Sequence, residues 1–143
     1  MASDRFFRLA NAFHRTLLRI PGRRVGWTAA AMPVLILTTI GRKTDRRRTV
    51  ILTSPHQDGD TIVVVASKGG ADRHPAWFLN LRDNPEVKIE TADQPRHERS
   101  ARVATPDQRT RLWPLITERF PNYHDYQSKT DREIPLVLLD RVS

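Results

Sequence analysis

The chain has 143 residues, with 24 Lys/Arg against 16 Asp/Glu, a net charge of +8 and 38% hydrophobic residues. That length and composition fit one folded domain and do not fit a disordered tail. Cysteine is absent, which excludes disulfide scaffolds, thiolate catalysis and every Cys-ligated zinc or iron–sulfur centre.

The charge is uneven: residues 1–48 carry eleven Lys/Arg against two acids, and the other 95 carry thirteen against fourteen. A uniformly basic nucleic-acid coat does not fit this distribution, so no nucleic-acid partner is expected. The longest apolar run, Ala29 to Leu37, has nine residues with Pro33 inside it, less than half of the roughly 20 that a spanning helix needs.

From Asp4 to Ile20, the residues Phe6, Leu9, Phe13, Leu17 and Ile20 recur at helical spacing, with Arg5, Arg8, Arg15 and Arg19 among the polar positions. The pattern predicts an amphipathic helix stopped by Pro21-Gly22. Three roles remain open for it: a core-packed terminal helix, a basic helix lying on an anionic membrane, or a DNA-binding arm. The expected organisation is an N-terminal unit over residues 1–24 and a main domain over 25–143.

From Val34 the texture changes to β-branched stretches separated by turn formers. Strands are predicted at Val34–Thr39, Thr49–Thr53, Thr61–Ala66, Val87–Glu90 and Ile134–Leu139, with a sixth at Arg96–Val103. Asp58-Gly59-Asp60 and Ala92-Asp93-Gln94 stand where hairpin turns belong. Helices are predicted from His74 to Arg82, with Pro75 at a first helical position, and from Thr105 towards Phe120, where Thr105-Pro106-Asp107-Gln108 reads as a capping box. This order predicts a mainly β, α+β fold: a six-stranded antiparallel barrel with short inserted helices.

Three segments could carry chemistry. Gly41-Arg42-Lys43-Thr44-Asp45-Arg46-Arg47-Arg48-Thr49 packs five cations and two hydroxyls into one strand-to-strand turn. It is either a solvated hairpin loop or an anion receptor, since guanidinium forks match phosphate and carboxylate oxygens. Ala66-Ser67-Lys68-Gly69-Gly70 lets the backbone approach a ligand closely and runs towards a helix N-terminus. Trp77 on that helix is a core residue or the flat wall of a ring pocket. In Pro121-Asn122-Tyr123-His124-Asp125-Tyr126, the two tyrosines share a face if the segment is helical, placed for packing or for donating to a substrate oxygen. The five histidines lack HxxxH or HExxH spacing, and no P-loop, GxGxxG or GxSxG motif occurs, so no metal site is expected.

The segments TTIGRKTDRRRTV, VVVASKGGADRHPAWFLNLRDNPEV, RLWP and YHDYQSKTDREIPLVLL, in this order over roughly residues 27 to 140, resemble the deazaflavin-dependent nitroreductase family of actinobacteria. The resemblance implies a split β-barrel of the FMN-binding type and coenzyme F420 as cofactor. It implies that Arg42, Lys43, Thr44 and Arg48 hold the acidic tail of the coenzyme, and that Ala66, Ser67, Lys68 and Gly69 line its ring and phosphate side. Trp77 would then stand beside the ring with Asn80 nearby, and Tyr123, Tyr126 and Ser67 would serve the acceptor as proton sources. Asp45 and Arg47 depart from the small residue and the proline common in the family.

The implied activity is hydride transfer from reduced F420 to a quinone, nitroaromatic or activated alkene, with menaquinone as the physiological expectation. Two other readings stand beside it: a non-catalytic carrier of F420 or lipid, and an FMN-dependent split-barrel oxidase. A cytoplasmic monomer or homodimer is expected, peripheral on the inner face of the plasma membrane if residues 4–20 bind lipid.

Overall fold

The computed structural model describes residues 27–29 and 31–142. The predicted helix over 4–20, and the unit 1–24 built on it, lie outside the described residues. In chain order the elements are β1 (Thr28–Ala29), β2 (Met32–Ile40), β3 (Arg47–Thr53), β4 (His56–Asp58), β5 (Thr61–Val65), α1 (Ala76–Asp83), β6 (Glu86–Glu90), β7 (His97–Val103), α2 (Pro106–Arg119), α3 (Asn122–Ser128) and β8 (Leu136–Arg141).

One antiparallel sheet runs β3-β2-β6-β7-β8-β5-β4, and β1 pairs with the first residues of β2. All six predicted strands are present, and the antiparallel architecture is as expected. The count is a correction: eight strands among the described residues, not six. The two additions, Thr28–Ala29 and the polar His56–Asp58, are too short to show a periodicity and exist because neighbouring strands offer backbone partners. Gly59, at φ +64, makes the two-residue turn that pairs Asp58 with Thr61.

The sheet buries both faces, and period-two alternation decides which residue goes where. Ile62, Val64, Val137 and Leu139 join Leu35, Leu37, Val87 and Ile89 inside the curl, where Phe78 and Leu81 of α1 also pack. Their alternates Val63, Val65, Leu136 and Leu138 point the other way, under Leu112, Ile116 and Tyr123 of α2 and α3. Each fully buried aliphatic side chain here contributes about 1.5–3 kcal/mol.

Inside this apolar curl lies one charge, Arg99 on β7, only 4% exposed. Its Nη1 donates to the carbonyls of Asp60 and Leu139, and its Nε to Nε2 of His97. Burial lowers its pKa, with Arg141 adding to the shift and Asp60 and Asp140 opposing it.

The helices start where the sequence marks them, with one adjustment. Thr105 caps α2 in the predicted box: its hydroxyl accepts from the Gln108 N–H at 3.2 Å, and the Gln108 side chain accepts from the Thr105 N–H at 2.9 Å. Pro75 is the N-cap of α1 and not its first helical residue, because its ψ of 151° keeps it extended. No side chain caps that first turn, and with the Phe78 N–H donating to the Pro75 carbonyl it is the Ala76 and Trp77 N–H groups that can meet an outside acceptor.

Candidate functional site

The β2–β3 hairpin carries the basic loop. Its backbone closes on itself: the Gly41 N–H donates to the Arg46 carbonyl at 2.7 Å, and the Asp45 N–H to the Gly41 carbonyl at 2.9 Å. Gly41 sits close to its neighbours: a Cβ there would meet Thr44 Oγ1 at 2.7 Å and the Arg46 carbonyl oxygen at 3.2 Å. The loop is tied to α1 by one residue. Asn80, 4% exposed, accepts at Oδ1 from the Arg42 main chain (3.2 Å) and from Arg42 Nη1 (2.9 Å), and donates through Nδ2 to Thr39.

The result is an open cleft of about 700 Å³ whose walls include Arg42, Lys43, Thr44, Arg48, Trp77 and Asn80. All six belong to the predicted cofactor set. Arg47, outside that set, also lines the cleft, as does Ala76 in the uncapped first turn of α1. Among the described residues, none of Arg42, Lys43, Arg46, Arg47 or Arg48 forms an ion pair; the ion pairs are Arg102–Asp140, Arg109–Glu133 and Arg111–Asp58. A row of exposed cations outside these ion pairs can receive an anion.

The other predicted residues gather on a neighbouring loop. Ala66 to Gly70 leave the end of β5 and pass through a 3-10 turn at Lys68–Gly70 in which three successive residues are left-handed: Lys68 (φ +46), Gly69 (φ +63) and Gly70 (φ +85). Gly70 lies against α3, and a Cβ there would meet the Tyr126 carbonyl oxygen at 2.6 Å. The loop and the tyrosines are therefore one assembly, and α1 joins it to the cationic cleft.

The two tyrosines part company. Their rings meet edge-on at 6.0 Å, but Tyr123 is 5% exposed and donates its hydroxyl to Met32 Sδ at 3.4 Å. Burial raises its pKa, opposed by a hydrogen bond with Thr53. Tyr126 is half-buried, with Lys129 Nζ 5.7 Å from its ring centre. Of the pair, Tyr126 is the one with surface left for a ligand.

Arg132 was not singled out in the sequence, yet it is central to this assembly. It donates from Nε to the Ala71 carbonyl (2.7 Å), from Nη1 to the Ala66 carbonyl (3.2 Å) and to His74 Nδ1 (3.1 Å), and from Nη2 to the Ser67 carbonyl (2.8 Å). The lone arginine in TDREIP, just ahead of a buried strand, was the only signal, and its targets lie 58 to 66 residues away. His74 has its pKa lowered by burial first and then by Arg132 and Arg82, which keeps its imidazole neutral and able to accept.

A second cavity, about 580 Å³, opens at the other end of β2 beside Ser54, Ile62, Arg99 and Arg141, and no predicted site residue lines it. No group of His, Asp or Glu among the described residues could hold a metal ion.

A curled antiparallel sheet with an open cationic cleft that Trp77 also lines is a split-barrel architecture with room for an anionic ligand. Residues 8–141 match the model of the F420H(2)-dependent quinone reductase family. An F420H(2)-dependent quinone reductase of Mycobacterium tuberculosis is 42% identical over 126 residues, spanning 86% of this chain and 78% of that protein. A solved F420-H2 dependent reductase, FDR-A, superposes with a TM-score of 0.66 at 37% identity, over 76% of this chain and 94% of that one. A solved domain-swapped dimer gives 0.68 at 33% identity over 96% and 100%.

The chain belongs to the F420H(2)-dependent quinone reductase family. It is thereby an oxidoreductase whose cofactor is coenzyme F420, as the motifs implied. A putative pyridoxamine 5'-phosphate oxidase of Listeria innocua, at 17% identity and a TM-score of 0.51, shares the fold alone. The FMN-dependent oxidase reading gives way to the family match.

Proposed function

We propose that the cleft and its adjoining loop hold reduced F420 while a lipid quinone of the menaquinone type is reduced at Tyr126. The observation that carries this reading is the continuity, in one cleft, of unpaired cations with Trp77 and the uncapped start of α1. Arg42, Lys43, Thr44 and Arg48, joined by Arg47, hold the phosphate and carboxylates of the tail. Trp77 supplies the apolar wall for the ring, while Asn80 fixes the Arg42 corner and leaves its neighbours free for ligand. Ala66, Ser67, Lys68 and Gly69 present main chain to the ring and phosphate side.

When bound, reduced F420 supplies a hydride. A quinone that accepts hydride also needs a proton; in this reading the Tyr126 hydroxyl gives it and regains one from water. The Ser67 hydroxyl makes no hydrogen bond within the described structure and is the second candidate donor. Tyr123, its own hydroxyl engaged with Met32, supports the Tyr126 ring edge-on.

The experiment is an anaerobic titration with F420 followed by tryptophan quenching, with FMN as control, and then addition of menadione to the reduced complex. Micromolar F420 binding with reoxidation supports the enzyme; binding without reoxidation supports the carrier reading; binding of FMN alone overturns the site. Among the described residues no helix is long and apolar enough to cross a membrane. A cytoplasmic protein held peripherally on the inner face of the plasma membrane by residues 4–20 would reach lipid quinone. Co-sedimentation with anionic vesicles, with and without residues 1–20, tests this, and equal binding by both forms removes it. We infer a homodimer from the domain-swapped neighbour, to be read by sedimentation.

A further inference from the structure

We propose that Arg132 is a positioning residue of the site: its guanidinium orients the 66–71 backbone so that the Ser67 N–H group is preset towards the cofactor. This rests on the reading of that loop as the ring and phosphate side.

The loop cannot set itself. Three left-handed residues in succession, one of them Lys68, are a conformation that a free chain leaves. Within the loop two backbone bonds hold the turn, Gly70 N–H to the Ser67 carbonyl and Ala71 N–H to the Lys68 carbonyl. Arg132 adds three more bonds, reaching the carbonyls on either side of the turn, Ala66 and Ser67 before it and Ala71 after it. Only a guanidinium offers donors in a fixed planar fork wide enough for this; an ammonium is a single point.

Orientation follows from peptide geometry. There are no cis peptides among the described residues, and a trans peptide sets its C=O and N–H in opposite directions. With the Ala66 and Ser67 carbonyls drawn onto Arg132, the N–H groups of the same peptides, those of Ser67 and Lys68, point away from it. The Ser67 N–H is therefore a main-chain donor set in place before binding.

Arg132 is itself held from behind. Gln127 Nε2 donates to its carbonyl at 2.7 Å, and Gln127 Oε1 accepts from the Ile134 N–H and from Arg109. No carboxylate among the described residues lies in ion-pair range of Arg132, so its charge stays with the loop; Asp72 acts on it from a distance. The groups facing His74 are Arg132 itself, Arg82 on α1 and the ring of Phe78 at 4.7 Å. A neutral His74 completes the set of acceptors.

The test compares Arg132→Lys and Arg132→Ala with the wild-type protein. F420 affinity and kcat/KM should fall about tenfold or more in both, the loss expected for charge-assisted bonds. The salt dependence of binding should be unchanged, because the tail cations are intact, and guanidinium should partly restore Arg132→Ala. Independently of F420, the amide resonances of Ser67 and Lys68 should shift in both variants, and the His74 titration should move up. Wild-type affinity with unmoved amides in Arg132→Lys overturns the proposal, whether or not Arg132→Ala folds. If the wild type itself does not bind F420, the reading of the site fails, while the amide and His74 signals still decide whether Arg132 sets the loop.

Discussion

The two loops of the site solve different problems by opposite means. The 41–46 hairpin is exposed from Arg42 onwards, closes on its own backbone and is tied elsewhere by Asn80. The 66–71 loop carries almost no charge, packs against α3 and is pinned from outside by Arg132. Attraction between a cation and a tail anion falls slowly with distance, so the hairpin tolerates some looseness. Hydride geometry does not tolerate it, because an ångström of misplacement can cost a hundredfold in rate. The molecule puts its charge where position matters little and its rigidity where position matters most.

Substitutions at the glycines break this comparison most directly. Gly70→Ala combines φ +85 with a Cβ 2.6 Å from the Tyr126 carbonyl oxygen, which is backbone and cannot step aside. It should lose about 2–4 kcal/mol of stability in denaturant unfolding. Gly41→Ala meets chiefly the end of the exposed Thr44 side chain and should lose about 1 kcal/mol. Equal losses would mean that the loops are equally rigid.

Next come the cations. Lys43→Ala or Arg48→Ala should weaken F420 binding by ~1.5–3 kcal/mol with a shallower salt dependence and an unchanged melting temperature. Unchanged affinity in both would return the hairpin to a solvated turn. Tyr126→Phe sharpens the comparison on the other side: F420 affinity should hold while menadione turnover falls about tenfold or more, the range expected for a lost proton donor.

The smallest effect is one of pH. The folded protein holds His74 below its ordinary 6.5, so near and below that pH the unfolded chain binds more protons and stability falls as the solution is acidified. Above it both states are neutral there and His74 makes no difference. His74→Asn keeps an acceptor for Arg132 and should flatten this limb of the stability curve; an unaltered curve would assign it to other groups.

Much of this was legible in the sequence, for identifiable reasons. Strands such as Thr61–Val65 announce themselves by β-branching and then divide their residues between two cores. The capping box at Thr105 is a local chemical signal and formed as read. Short β4 was invisible because only pairing with β5 makes it a strand. The spacing of Tyr123 and Tyr126 told that they would be neighbours but not which hydroxyl would be buried, since that depends on Met32, 91 residues away from Tyr123. Arg132 escaped for the same reason: its partners are distant backbone carbonyls, which no side-chain pattern advertises.

Arg99 has a consequence for how the sheet is assembled. Side chains alternate along β7, so a slip of one residue against β8 would send the guanidinium into solvent and turn Glu98 or Ser100 inward. It would also abandon the bonds to Leu139, Asp60 and His97 together. A leucine at that position would pack acceptably in several near-native alignments, whereas a charge with three acceptors at fixed places is satisfied in one. The arginine thus proofreads strand alignment, trading some of the apolar interior for a chain that closes its barrel in a single register.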